Sequence, residues 1–238
     1  MSLNYSTYQA QLANLMVAQI TDPNFITFLP GCIDYAEQRM YRELDLQVTR
    51  NADSSITLSS GVRTINLPTD LGTFLVVEQF NVWTPSTALS SNAVRVPLTP
   101  VTKEYLDFAW PSAGAFNGVP IYYAPLDNNT FVLGPSPDQA YPLEVIGTIR
   151  PPPLSISNSS TFLTQVLPDM FIAASMVFAT GYMRNYGAQS DDPQMGASWE
   201  SQYKQLFASA NNEELRKRFQ SQGWQSMTPN AIATPPRA

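Results

Sequence analysis

Apolar positions recur along this chain with two different periods. Near both ends they fall three and four residues apart, the spacing of an amphipathic helix. Through the middle they alternate, the spacing of a half-buried strand. Over 6–20, Tyr8, Leu12, Leu15, Met16 and Ile20 share one helical face, and Ser6 with Gln9 has the form of a capping box. Asp22-Pro23 breaks that run, and a short turn carrying Phe25, Phe28 and Leu29 follows. A second helix is expected from Pro30 to about residue 46, burying Ile33, Ala36, Met40 and Leu44. Glu37, Arg39, Arg42, Glu43 and Asp45 take its wet faces, with Arg39 and Glu43 at i, i+4.

The last third returns to the helical period. The segment 168–186 is apolar nearly all round (Met170, Phe171, Ile172, Met176, Val177, Phe178), which predicts a helix central to a bundle. Asp192 is placed to cap a fourth helix, with Pro193 in its first turn. Its stripe is Trp199, Tyr203, Leu206, Phe207 and Ala210. Asn211-Asn212 marks a bend or an end before 213–222 continues. Beyond Gly223 the prolines Pro229, Pro235 and Pro236 predict an extended tail.

Between these helices, 54–58 and 63–67 flank Ser59-Ser60-Gly61 and read as a hairpin. The longest strand is expected at 74–83. Pro97 makes 94–98 an edge strand or a strand end. Thr102 can cap a short helix over 102–110, with Tyr105, Leu106 and Ala109 inward. Asp127-Asn128-Asn129 joins strands at 119–124 and 130–133. In 141–150, Leu143, Val145, Gly147 and Ile149 alternate onto one face, and Pro151-Pro152-Pro153 is a stiff exit. The expected fold class is α+β: a four-helix bundle built from 1–50 and 154–222, an antiparallel β subdomain inserted at 51–153, and an extended tail at 223–238.

Composition narrows what such a body does. Of 238 residues 44% are hydrophobic, enough for a sizeable core, but only 13% are charged, about half the usual share. A surface of neutral polar groups loses little to desolvation when it docks on a neighbour, which suits a protein buried in an assembly. The net charge of −6 argues against gripping free DNA, though an acidic wall can surround DNA without holding it. The single cysteine, Cys32, rules out an intramolecular disulfide and reads as a buried structural thiol. No apolar run approaches the ~20 residues of a membrane span, and Met1-Ser2-Leu3-Asn4 lacks the features of a secretion signal. A reducing cytosol, or a particle built there, is the expected location.

Chemistry is scarce. The chain has no histidine, which removes Ser-His-Asp and Cys-His machinery and the usual zinc sites. Neither a dinucleotide fingerprint nor a P-loop is present. Two-carboxylate hydrolysis needs a matched acid pair; Asp191 and Asp192 read better as a helix cap, and Asp34, Glu37 and Glu43 as a solvated helix face. No catalytic residue, metal ligand or cofactor is expected. Partner binding is placed on Arg216, Lys217 and Arg218, which can pair with Glu213 and Glu214 or meet an acidic neighbour or DNA phosphate. In the tail, Trp224, Met227 and Pro229 are offered as anchors into another subunit.

Several stretches together resemble the head-to-tail adaptor, or connector, proteins of tailed bacteriophages, especially short-tailed ones. They are FLPGCIDYAEQRMYRELDL at 28–46, GVPIYY at 118–123, FVLGPSP at 131–137, 143–153, LPDM at 167–170 and EELRK at 213–217. Each is a packing pattern without a chemical signature; their order along most of the chain carries the likeness. The resemblance implies a structural virion protein at the head–tail junction. It would form a ring, commonly a dodecamer, beneath the portal after packaging, extend the DNA channel and receive tail nozzle or fibre proteins. Genomic DNA would pass through without sequence-specific contact, and no membrane is involved. The resemblance also implies that a C-terminal segment reaches the portal, carried over by position to 224–238. A rival reading is a tail- or fibre-associated carbohydrate-binding module using Trp83, Trp110 or Tyr122. A second rival, a cell-wall hydrolase, finds no acid pair to rest on.

Overall fold

The computed structural model describes residues 3–85, 93–111, 116–183 and 193–219. The fold is α+β, with six α-helices, the shortest of them α4 (Phe162–Val166), and two β-sheets among the described residues. The chain divides into two compact units. A helical unit takes the described residues within 9–47 and 166–238, and a β unit those within 2–8 and 48–165.

In the helical unit, α1 (Tyr5–Leu15) begins in the chain segment of the β unit and ends earlier than its periodicity suggests. Asn4, not Ser6, caps it: the Asn4 side chain accepts from the Thr7 N–H at 2.8 Å and Thr7 Oγ1 accepts from the Asn4 N–H at 2.8 Å. The helix stops because Val17 turns into the left-handed region, at φ 53°, while the Ala18 N–H reaches back to the Ala13 carbonyl. Ile20, expected on the apolar face, is exposed.

The second helix, α2 (Pro23–Glu43), starts a full two turns before Pro30. Asp22-Pro23, read as a break, is instead the start signal: Asp22 accepts from the Asn24 N–H, and Pro23 takes the first helical position, where no N–H is needed. Pro30 lies inside the helix. The buried face is Phe25, Leu29, Cys32, Ile33, Ala36, Glu37 and Met40, so Glu37 leaves the wet face assigned to it. Burial alone pushes the Cys32 thiol up to about 12. The apolar α5 (Pro168–Met183) packs against both α2 and α6 (Pro193–Phe219). Across Asn211-Asn212 α6 is unbroken, because Ala210 and Glu214 on either side are both buried.

The β unit carries two four-stranded sheets. One runs β1 (Arg50–Thr57), β8 (Pro142–Arg150), β3 (Thr73–Thr84), β4 (Val94–Pro97), all antiparallel. The other runs β2 (Thr64–Asn66), β7 (Thr130–Gly134), β6 (Tyr122–Pro125), β5 (Thr99–Pro100), with β5 and β6 parallel. The hairpin expected around Gly61 does not form. Its two strands enter different sheets, and the connecting backbone is held by distant carbonyls, Leu58 N–H on Tyr141 and Gly61 N–H on Pro137. The β6–β7 hairpin does form, around Asp127, which accepts from the Asn129 and Thr130 N–H groups.

One core lies between the sheets. Phe74, Phe80, Val82, Leu143, Val145 and Ile149 from the first meet Ile65, Tyr123, Phe131 and Leu133 from the second. Phe80 is the central contact, edge-on to Tyr123 at 4.8 Å and to Phe131 at 4.9 Å between centroids. The short α3 (Lys103–Ala109), capped by Thr102, lays Leu106 against Ala124 and Val132. Tyr105, expected inward, is 46% exposed. At Gly134 a Cβ would come within 2.6 Å of Leu106 and 2.8 Å of Trp110, so α3 docks where only glycine leaves room.

Candidate functional site

The helical unit carries the densest polar network described. Arg39 sits at its centre. Its Nη1 and Nη2 donate to the two Glu200 carboxylate oxygens at 2.7 and 2.8 Å, and its Nε donates to Glu43 at 3.1 Å. Beneath it lies the Tyr203 ring, 4.0 Å from the guanidinium carbon, and the Tyr203 hydroxyl donates to Glu43 at 2.6 Å. These bonds raise the Arg39 pKa further, Glu200 contributing most, and hold the Glu200 carboxyl below the usual carboxylate range. Burial, then Glu43, pushes the Tyr203 phenol up. Every ion here is satisfied by another, so the cluster clamps α2 to α6.

Beside the clamp a groove of about 650 Å³ opens, lined by Gly31, Asp34, Tyr35, Arg42 and Phe178 among others. Phe178 of α5 is stacked between Phe28 and Tyr35 of α2, at 5.4 and 5.1 Å. Gly31 lies under it, where a Cβ would touch the ring at 3.5 Å. Phe178 is still 37% exposed. Asp34 is exposed and, among the described residues, accepts only from Gln38, at 2.7 Å.

The cations expected to bind partners occupy the last turn of α6, and the structure separates their roles. Lys217 is held by Glu213 at 2.9 Å and Glu214 at 2.7 Å, which raises its pKa. Arg218 pairs with the Asp45 carboxylate and donates to the Asp45 carbonyl. Arg216 is exposed and meets no carboxylate among the described residues. Leu215 and Phe219 beside it are exposed as well, Phe219 by 62%. Trp224, Met227 and Pro229, and the acids Asp191 and Asp192, lie outside the described residues.

In the β unit, Trp110 and Tyr122 meet at 5.7 Å, with Tyr105 edge-on to both. Trp83 stands apart from them, in the other sheet, under the Arg95 guanidinium at 5.0 Å. Arg95 also donates to Glu144 at 2.7 Å, and Glu144 accepts from the buried Asn81 amide at 2.8 Å. Among the described residues no three His, Cys, Asp or Glu side chains are grouped to hold a metal ion, and no helix is long and apolar enough to cross a membrane.

Two features escaped the sequence reading. Glu200 was not connected to Arg39, and Phe178 was assigned only to a helix core. A glycine inside the apolar period of α2 is the one local signal that a ring approaches there.

The described residues thus present an ion-pair clamp, an aromatic groove and an aromatic cluster as their candidate contact surfaces. The family model for the SU10 adaptor protein matches residues 3–232, and the chain belongs to that family. This bears out the resemblance to phage head-to-tail adaptors. No curated protein matches the chain.

Proposed function

We propose that this chain is a structural virion protein, one copy of a dodecameric ring beneath the portal that extends the DNA channel and offers a platform to tail nozzle or fibre proteins. The observation that carries this reading is the family match across nearly the whole chain. The surface supports it. Charge is low, and large apolar groups stand exposed on each unit, Val17 and Phe219 on one, Phe108 and Ile156 on the other. A net charge of −6 lets DNA slide through a lumen without sticking. We read α1, α2, α5 and α6 as a four-helix scaffold: α5 packs on α2 and α6, and Leu12, Ala13 and Met16 of the α1 region are buried. The β module is the outward insertion, and the segment after Gly223 is the portal contact. No enzymatic step is assigned. Imaging of purified particles tests the reading. A ring of this chain on the DNA axis, directly below the portal, is expected; its presence elsewhere in the particle, or its absence, overturns the assignment.

A second reading has one observation in its favour, the meeting of Trp110, Tyr122 and Tyr105 on the β unit. Aromatic faces grouped in this way suit sugar rings. Saturable glycan binding by the full chain, lost in Trp110→Ala, is its expected result, and a glycan screen without saturable binding sinks it.

A further inference from the structure

We infer that Arg216 and Phe219 of one copy dock into the Asp34–Phe178 groove of the next copy, forming the repeating contact of the ring. The inference rests on the self-assembly proposed above and names the surfaces that would mate. Among the described residues, each surface presents an ion with no direct salt-bridge partner. Of the three adjacent cations on α6, Lys217 and Arg218 are paired, and Arg216 meets no carboxylate among the described residues. Asp34 accepts from Gln38 and meets no cation among the described residues. Arg42, also at the groove, donates to Gln38 at 2.8 Å. Gln38, bonded to both, stands between them, so Arg42 and Asp34 form no direct ion pair.

Each surface also presents a partly exposed ring beside its ion, Phe219 on one and Phe178 on the other. Arg216 and Phe219 are i, i+3 neighbours, about 5–6 Å apart at Cβ. Asp34 adjoins Tyr35 and lies one turn from Gly31, two of the three α2 residues against which Phe178 packs. Asp34 and Phe178 line one groove, so Phe219 seated on Phe178 places Arg216 at the groove that holds Asp34. One molecule cannot satisfy both. Glu200, at the groove, and Arg216 are about 24 Å apart along α6 at 1.5 Å per residue. A contact between two different faces of the same chain is heterologous, and it propagates until it closes.

Sedimentation velocity over a concentration series, on the full chain alone and mixed with portal, tests this. Asp34→Arg and Arg216→Glu are each expected to weaken self-association about tenfold or more, and the double swap to restore it to within about threefold. Glu104→Arg, an exposed reversal on α3, is expected to change nothing. Unaltered assembly in both single variants overturns the pairing and leaves the ring standing. Weakening by Arg216→Glu with Asp34→Arg silent assigns the α6 ridge to another occupant and likewise overturns it. Weakening by both without rescue by the swap rejects direct contact. A wild-type chain that stays monomeric in both settings removes the ring and the pairing together.

Discussion

Arg39 of α2 holds Glu200 of α6 through two parallel N–H···O bonds of 2.7 and 2.8 Å, with the Tyr203 ring 4.0 Å beneath the guanidinium. A planar fork makes both bonds and the stacking at once; an ammonium makes one bond and stacks less well. Arg39→Lys keeps the charge and is expected to lower stability by about 1–2 kcal/mol. Urea unfolding of the two proteins at neutral pH measures it. Equal midpoints would show that the clamp adds nothing to the joining of α2 and α6.

The same pair sets a pH dependence with a definite sign. Arg39 depresses the Glu200 carboxyl in the folded state. Its stabilisation is therefore present above the ordinary glutamate range and is lost as pH falls through the depressed folded value. The gap in urea midpoint between wild type and Glu200→Gln is expected to be full at pH 7 and to close below about pH 4. A gap that widens on acidification reverses the sign and rejects the account.

Val17 ends α1 in a conformation that glycine normally supplies. Its φ is 53°, it is 92% exposed, and its β-branched side chain gains no burial in return. Val17→Gly is expected to raise stability by about 1 kcal/mol, since relief of left-handed strain outweighs the extra freedom of the unfolded chain. Thermal unfolding reads this directly. Should the variant instead be silent in stability and impaired in assembly, the exposed valine is held there for a partner.

What could be read along the chain was local. The Thr102 cap, the Asp127 turn and the alternation of Leu143, Val145 and Ile149 each lie within a few residues of what they specify, and each reappears in the structure. The failures involve partners far away. Two alternating runs around Gly61 look the same whether they pair with each other or with β8 and β7; only the Tyr141 and Pro137 carbonyls decide. Asn211-Asn212 has poor helix propensity, and burial of Ala210 and Glu214 overrides it. Asp22-Pro23 was ambiguous on its own terms, because an acid before proline both ends a helix and starts one. The Arg39–Glu200 clamp spans 161 residues and leaves no trace in local spacing.

Gly134, at the end of β7, has no room for a single added methyl group. A Cβ there would stand 2.6 Å from a Leu106 methyl and 2.8 Å from the Trp110 ring, both held in the packing of α3 on the second sheet. Leu106 is fully buried and has nowhere to retreat, so α3 must lift. Gly134→Ala is expected to cost about 1–3 kcal/mol as overpacking. It should also alter the near-ultraviolet circular dichroism of Trp110, whose ring contacts Tyr105 and Tyr122. Because the inter-sheet core around Phe80 lies on the other face of that sheet, the far-ultraviolet signal of the strands should persist. Loss of both signals together would mean that α3 and the sandwich fold as one unit, and an unchanged near-ultraviolet spectrum would show that the Trp110 ring yields without moving the helix.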